Sequence, residues 1–461
     1  MRTVYTGGAV IGSADHEMDR GYVVVDDAII VECAAGAAPQ STLAAADIVV
    51  DTTGQVLMPG FINAHCHLFQ SMLRGLSTNR SLEGWLEHDI WPVIPLLTPD
   101  DFEMAALGGL AENLRSGVTS VLENHYVQTS KENAHRVARA FQKIGIRGLI
   151  ARGGVDVNLI GTNPDEARQE SVTEYLNNTG IFLQEWQGAA DGRIRIEPAI
   201  QTTWLASSAL ASAVSDFMHK YGVGLHAHCA ETRASVDFTL EKYGVREVEF
   251  FSRHGLLGPT TQLVHSVWLD ESERAMLAAT DTVVVSCPVS NAYLASGPAP
   301  VSDLLADGVT VALGSDGPAS NNGQNIFEVL KWVVLSDRLR TLDATRLTEV
   351  DALRMMWDGG AGALGLPGVV GRIEPGYRAD LVTLGVTCAP YKGTPNLRKA
   401  VVFGGSPGDV CSVWVDGVLV VKNSTVLTVD EPAVGQQIEV RMRTLGLLGT
   451  PTQLEGRNDH H

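Results

Sequence analysis

The sequence predicts an α/β fold: a (β/α)8 TIM-like barrel with a second, small β-sandwich domain built from both chain ends. Two patterns carry that reading. From residue 55 onward, apolar strand-like runs alternate with amphipathic helical stretches, the order that builds βα units and a parallel sheet. Before residue 55 and after residue 378 the chain is β-like without such helices, and the late strands need a sheet to join.

Taken in order, residues 2–6 and 21–32 read as short strands, the second interrupted by a turn at Asp26-Asp27. Eight barrel strands follow at 56–65, 117–124, 147–153, 193–201, 223–230, 262–267, 282–287 and 309–315. Helical stretches at 100–116, 134–144, 207–221 and 271–279 lie between them, with apolar residues at three- and four-residue spacing. Two further helices, 326–340 and 351–365, precede a return to β character at 378–383, 410–415 and 418–421. Asp416-Gly417 joins the last two runs, and a type I′ hairpin turn favours that dipeptide because both central residues need positive φ. The resulting division is 1–58 as the amino-terminal part of the composite β domain, 59–368 as the barrel, 369–450 as its carboxy-terminal part, and 451–461 as a polar tail.

Composition excludes several partners. The 461 residues contain 34 Lys+Arg against 53 Asp+Glu, a formal charge of −19 that repels a polyphosphate backbone, so nucleic acid is not expected. No apolar run approaches the ~20 residues a membrane span needs, and no basic, apolar leader opens the chain, so a cytoplasmic protein is expected. Six cysteines without Cys-x-x-Cys spacing argue against a disulfide framework and a thiolate zinc knuckle.

The chemistry centres on Pro59-Gly60-Phe61-Ile62-Asn63-Ala64-His65-Cys66-His67. Side chains alternate along a strand, so His65 and His67 project to one side and Cys66 to the other. A lone His-x-His pair is more often incidental. Here it has partners at the ends of later strands: His228 with Glu231 on strand 5, His265 on strand 6 and Asp316 after strand 8. A barrel of this class places its active site at the carboxyl ends of its strands, so all of them face one mouth. The nitrogen and oxygen donors of His65, His67, His228 and Asp316 suit one divalent metal, zinc or alternatively iron(II), with a position left for water. Glu231, three residues beyond His228, is placed as a proton shuttle, His265 to orient the attacking water, and Asp316 to take a proton from it. The plainer readings are a first-turn helix carboxylate for Glu231 and a turn cap for Asp316. His226 shares a face with His228 and reads either as pocket lining or as a packed histidine.

Four segments together resemble the amidohydrolase superfamily, in its branch of metal-dependent deaminases of aminated heterocycles. They are the His65 segment, His226-Ala227-His228-Cys229-Ala230-Glu231-Thr232, Ser290-Asn291-Ala292-Tyr293-Leu294-Ala295-Ser296-Gly297, and Gly314-Ser315-Asp316-Gly317-Pro318-Ala319-Ser320-Asn321-Asn322. The resemblance covers essentially the whole chain and implies a mononuclear metal centre, which agrees with the lack of a lysine in strand 4. It implies hydrolytic removal of an exocyclic amino group from a nitrogen heteroaromatic, with ammonia released.

Substrate is less sharply marked. Members acting on methylthioadenosine and S-adenosylhomocysteine have a ribose-binding glutamate where this chain has Ile94, and a histidine where it has Gln201. Both changes weaken a nucleoside substrate. Around His67-Leu68-Phe69-Gln70 the chain is locally similar to triazine hydrolases, yet Gly317 follows the metal aspartate where the dechlorinating members have an amide or acid, so ammonia release is favoured over chloride displacement. Displacement of chloride or alkylamine, cyclic amide hydrolysis and a non-catalytic scaffold are the alternatives. Gln70, Trp85, Glu123, His125, Tyr126, Arg152, Gln201, Trp204 and Asn291 are the candidate substrate contacts. Trp85 and Trp204 have a second reading as core aromatics and Arg152 as a structural ion-pair partner. A small heterocyclic substrate and a homo-oligomer, dimer or tetramer, complete the expectations.

Overall fold

The computed structural model describes residues 1–76, 79–157, 170–388 and 391–448. The expected tail at 451–461 lies outside them.

Eight parallel strands stand side by side in chain order: Phe61–Cys66, Val118–His125, Arg147–Gly154, Ile194–Ile200, Leu225–Cys229, Thr261–His265, Val283–Ser286 and Val311–Leu313. Between the first and last, closure rests on a few bonds. The Asp316 N–H donates to His65 O at 3.0 Å, and the Ser315 N–H donates to Asn63 Oδ1 at 3.0 Å. Asn63 Nδ2 in turn donates to Asn113, Ser315 and Gln324, a buried polar knot that closes the seam where a strand ladder is missing. The barrel is therefore stapled at the point where His65 and Asp316 meet.

The expected strand 56–65 is two strands. Gln55–Pro59 belongs to the composite sheet and Phe61–Cys66 to the barrel, with Gly60 between them. A Cβ on Gly60 would lie 2.2 Å from the Thr119 side chain, so only glycine lets the chain pass from one sheet to the other there. Asn63 and Cys66 both point out of the barrel, although three residues apart; the register with the second strand shifts between them, and this irregularity keeps His65 and His67 aimed inward.

Both ends of the chain build the flanking domain. One sheet orders Ile29–Ala35, Gly21–Asp26, Arg2–Thr6 and Ile48–Asp51. The other has seven strands, and Gln55–Pro59 pairs there antiparallel with Leu381–Gly385, joining the amino-terminal part to the carboxy-terminal part. Tyr5, Val23, Val25, Leu57, Leu381 and Trp414 fill the space between the sheets, with Tyr5 edge-on to Trp414 at 5.1 Å. Asp416 and Gly417 have φ of 51° and 75°, as the hairpin dipeptide predicts.

Two helical regions differ from expectation. The stretch 351–365 divides into Glu349–Arg354, a π-helical turn Met355–Gly359 and Gly360–Ala363, because Gly359 and Gly360 press on Val311 and Ile62 at distances no side chain would allow. The carboxy-terminal region also contains a helix, Glu431–Thr444, that lies on the barrel helix Pro99–Arg115 through Ile438 against Gly108 and a two-pronged Arg441–Asp101 pair. Val434, Ile438 and Met442 sit at four-residue spacing, a signal present in the sequence.

Barrel and flanking domain are tied by one buried charge cluster. Arg147, at the start of the third barrel strand, grips Asp380 with two hydrogen bonds at 2.9 and 3.0 Å and reaches Asp416 in the hairpin. Asp380→Ala leaves that guanidinium buried with half its partners, a defect that costs about 3–5 kcal/mol. Denaturant unfolding is expected to show a loss of that size, and a variant as stable as the parent would refute the role of the cluster.

Candidate metal centre and active site

At the mouth, His65, His67, His228, His265, Asp316 and Glu231 converge, all buried. One donor atom from each of His65, His67 and His228 lies within 4.8 Å of the others, and so does one from each of His65, His265 and Asp316. Asp316 Oδ1 is 3.2 Å from His65 Nε2 and 3.4 Å from His67 Nε2.

The second nitrogen of every imidazole is occupied. His67 Nδ1 donates to Asn124 O and His228 Nδ1 to Gln201 O, each at 2.9 Å. His265 Nδ1 meets Asn291 Oδ1 at 2.9 Å, and His65 Nδ1 meets His226 Nε2 at 2.8 Å. Where the acceptor is a carbonyl oxygen, Nδ1 carries the hydrogen and Nε2 presents a lone pair. Burial holds His65 neutral, down at about 3, and pushes His228 well below its ordinary value. Burial alone would raise Asp316, but the surrounding imidazoles of His65, His67 and His265 outweigh it and hold the carboxyl well below the usual range. A neutral His65 and His228 beside an ionised Asp316 are in the protonation states that metal ligation requires.

The donor set passes a direct test for a cation. His65 Nε2 is buried and makes no hydrogen bond, although a carboxylate oxygen stands 3.2 Å away. A lone pair facing an anion in a dry site is unfavourable unless a positive charge lies between them. His65, His67, His228 and Asp316 fit one divalent ion, with His265 alongside.

Backbone geometry concentrates strain here. Ala230, His265, Ser266 and Asp316 have φ of 48°, 68°, 48° and 61°, left-handed values uncommon for residues other than glycine. Each turns the chain sharply at a strand end so that a functional side chain faces the centre. Supports over-determine these turns: Glu247 accepts the Ala230 N–H at 2.8 Å, and the Ser266 N–H donates to Cys229 O at 2.9 Å.

Glu231 stands beside the metal set, with Oε2 at 3.6 Å from His265 Nε2. Burial raises it to about 7, and the neighbouring charges of Asp316 and Glu83 add to the effect. It therefore exchanges a proton near neutral pH. Ser296 Oγ donates to Glu231 Oε1 at 3.4 Å, and Ser290 Oγ to Asp316 Oδ2 at 2.6 Å. Ser290, Asn291 and Ser296 thus reach three functional groups from one short segment, and only Asn291 among them was singled out from sequence.

A cavity of about 40 Å³ opens on these groups, lined by Gln70, Trp85, Tyr126, Gln201 and Trp204 among the expected contacts, with Leu82, Leu86, Thr202 and Leu294 added. Gln70 Nε2 and Oε1, Trp85 Nε1 and Gln201 Oε1 are buried without a hydrogen-bond partner among the described residues, so a ligand has polar groups to satisfy there. Three other expected contacts are corrected. Glu123 and His125 share the outer face of their strand: Glu123 accepts the Leu68 N–H at 2.8 Å, and His125 packs on Phe102. Arg152 makes the structural ion pair, gripping Glu170 at 2.8 and 3.0 Å. Alternation along a strand sends these three away from the mouth. Asn291 acts on His265 and does not line the cavity. His226 lies fully buried below His65.

The chain matches the amidohydrolase family over residues 56–420. It is 32% identical over 425 residues to a 5-methylthioadenosine/S-adenosylhomocysteine deaminase of Syntrophomonas wolfei subsp. wolfei, covering 92% of this chain and 94% of the relative. It is 32% identical over 386 residues to a 5'-deoxyadenosine deaminase of Methanobrevibacter smithii, covering 84% and 85%. A zinc-bound adenosine deaminase from Xanthomonas campestris superposes with a TM-score of 0.89 at 26% identity over 97% of this chain and 99% of that one. An atrazine chlorohydrolase from Arthrobacter aurescens TC1 complexed with zinc has a TM-score of 0.88 at 23% identity, covering 95% and 100%, and shares the fold.

One contact makes a test. A Cβ on Gly317 would lie 1.8 Å from Gln70 Oε1, so Gly317→Ala must displace the Gln70 amide. Losing one such hydrogen bond to substrate corresponds to about 0.5–1.5 kcal/mol, a KM raised roughly 2- to 13-fold with metal content unchanged. An unaltered KM would remove Gln70 from the binding site.

Proposed function

Because the chain belongs to the amidohydrolase family, we propose that it is a metal-dependent hydrolytic deaminase that removes an exocyclic amino group from a nitrogen heteroaromatic ring and releases ammonia. The observation that carries this reading is Glu231: a buried carboxyl raised to about 7, beside a His-and-Asp donor set, is an acid for a poor leaving group. In this proposal His65, His67, His228 and Asp316 hold one divalent ion, zinc in the first instance, which when bound activates a water as nucleophile at neutral pH.

The chain's own groups then manage the protons. Glu231 in its acid form protonates a ring nitrogen, which makes the adjoining carbon electrophilic. The carboxylate so formed takes up one proton from the attacking water and passes it to the departing amine; as the carbon–nitrogen bond breaks and the ring carbonyl forms, the second proton of that water returns to Glu231, so ammonia leaves as a neutral molecule and the acid form is restored. His265, with its Nδ1 hydrogen on Asn291, has Nε2 as an acceptor beside Glu231 Oε2 and orients the water. Chloride displacement needs no such acid, so Glu231 favours amine release.

For the ring itself, we favour a neutral, base-sized aminated heterocycle without a ribose. Ile94 is fully buried in a short turn outside the cavity, so no carboxylate is offered to ribose hydroxyls from that position. Trp85, Trp204 and Tyr126 give flat walls, while the Gln70 and Gln201 amides are free to read ring-edge nitrogens. The relatives named for nucleosides make 5'-deoxynucleosides the comparison to include. No helix among the described residues is long and apolar enough to cross a membrane.

Three measurements test the proposal. Elemental analysis should give about one metal per active chain, and His67→Ala should remove metal and activity together. Glu231→Gln should keep the metal while turnover falls ~10²–10⁴-fold, the usual worth of general acid–base help. Metal-loaded protein offered aminated pyrimidines, triazines, purines, pterins and 5'-deoxyadenosine should release ammonia from a free base faster than from the nucleoside. Chloride from a chlorotriazine without ammonia from any amine would overturn deamination, and a preference for 5'-deoxyadenosine would overturn the base-sized substrate.

A further inference from the structure

His226 does no chemistry in the reaction above, yet it is wholly buried and contacts a metal ligand directly. It lies two residues before His228 on the same face of its strand, one layer deeper in the barrel. Its ring stacks under that of His65, 20° from parallel with centroids 5.0 Å apart, and its Nε2 is 2.8 Å from His65 Nδ1. On the other side, His226 Nδ1 is 3.3 Å from Gln262 Oε1. Gln262, on the sixth strand, donates from Nε2 to Thr260 O at 3.0 Å.

This chain has a direction. A backbone carbonyl only accepts, so the bond to Thr260 fixes which end of the Gln262 amide is nitrogen and turns Oε1 towards His226. That oxygen also only accepts, so the hydrogen of the neutral His226 ring sits on Nδ1, leaving Nε2 as a lone pair. The shared proton between the two rings therefore belongs to His65 Nδ1, and His65 Nε2 is left as a lone pair facing Asp316. Nothing else among the described residues touches His65 Nδ1 to set its tautomer. Of the three imidazoles proposed as ligands, His67 and His228 are fixed directly by backbone carbonyls and His65 alone depends on side chains for the same service.

We propose that His226 and Gln262 are positioning residues that hold His65 in its ligating tautomer, so that the affinity of the centre for its metal is set in part from the barrel floor. This rests on the metal site proposed above. Partners of this kind typically contribute 10- to 100-fold to metal affinity.

The experiment measures zinc affinity by competition with a chelator, together with the melting temperature of the metal-free protein. His226→Leu removes the acceptor while filling the space, and a 10- to 100-fold weaker affinity is expected. His226→Gln restores an acceptor oxygen within reach of His65 Nδ1 and should recover most of that loss. Gln262→Leu, one step further from the metal, leaves the His226 ring in place and should weaken zinc in the same direction, and it serves if His226→Leu does not fold. A packing role alone would lower the metal-free melting temperature and leave affinity intact, so His226→Leu or Gln262→Leu with parental zinc affinity overturns the proposal. A parent protein that binds no zinc or iron(II) would instead remove the metal reading, and this inference with it.

Discussion

Everything at the mouth of this barrel depends on keeping imidazoles aimed at one carboxylate in a buried space. The arrangement crowds two ring nitrogens, those of His65 and His67, to 3.2 and 3.4 Å from one carboxylate oxygen. It persists because each ring is held from behind. Asn124 O, Gln201 O, His226 and Asn291 occupy the far nitrogens, and they come from the second, fourth and fifth strands and from the helix after the seventh. A centre of this kind needs a closed ring of strands, because no local segment can supply supports from so many directions.

The same demand explains where the fold spends its irregularity. Left-handed residues stand at the ends of strands five, six and eight, the register slips in strand one, and the seam between the last and first strands is closed by the buried knot around Asn63 and Gln324. Each departs from regular barrel geometry in order to aim a side chain. The flanking sandwich steadies the first strand from outside through Gly60, whose N–H donates to Asp380 O at 2.9 Å, and Asp380 is also gripped by Arg147. Gly60 therefore marks the point where the structural domain hands the chain to the reactive one.

Cavity chemistry then separates two questions that share one metal centre. In the proposed reading the donor set and Glu231 address how a carbon–nitrogen bond is broken, while relatives of equal identity carry names that specify different substrates. In the same reading, what the site accepts is set by a second group of side chains. Gln70 keeps its amide in the cavity only because Gly317 has no side chain, and Trp85 enters from a short helix outside the barrel. Specificity is thus free to change without disturbing the supports of the imidazoles.

Much of this was legible in the linear sequence. The alternation of strands and helices, the pairing of Asp416 with Gly417, the His-x-His strand and the later strand-end His, Glu and Asp residues follow from period, turn chemistry and donor type, which are local properties. Even His226 carried a signal, since alternation placed it with His228. Other features needed the fold: that Glu123 and His125 face outward, that Arg152 takes its ion-pair reading through Glu170, that Ser290 and Ser296 reach Asp316 and Glu231, and that one strand becomes two at Gly60. These depend on which face of a strand meets which neighbour and on distances between segments far apart in the chain. The sequence by itself determined which groups are available and their order around the barrel; only the tertiary structure decided which nitrogen of each ring is free, because that is fixed by partners up to 161 residues away.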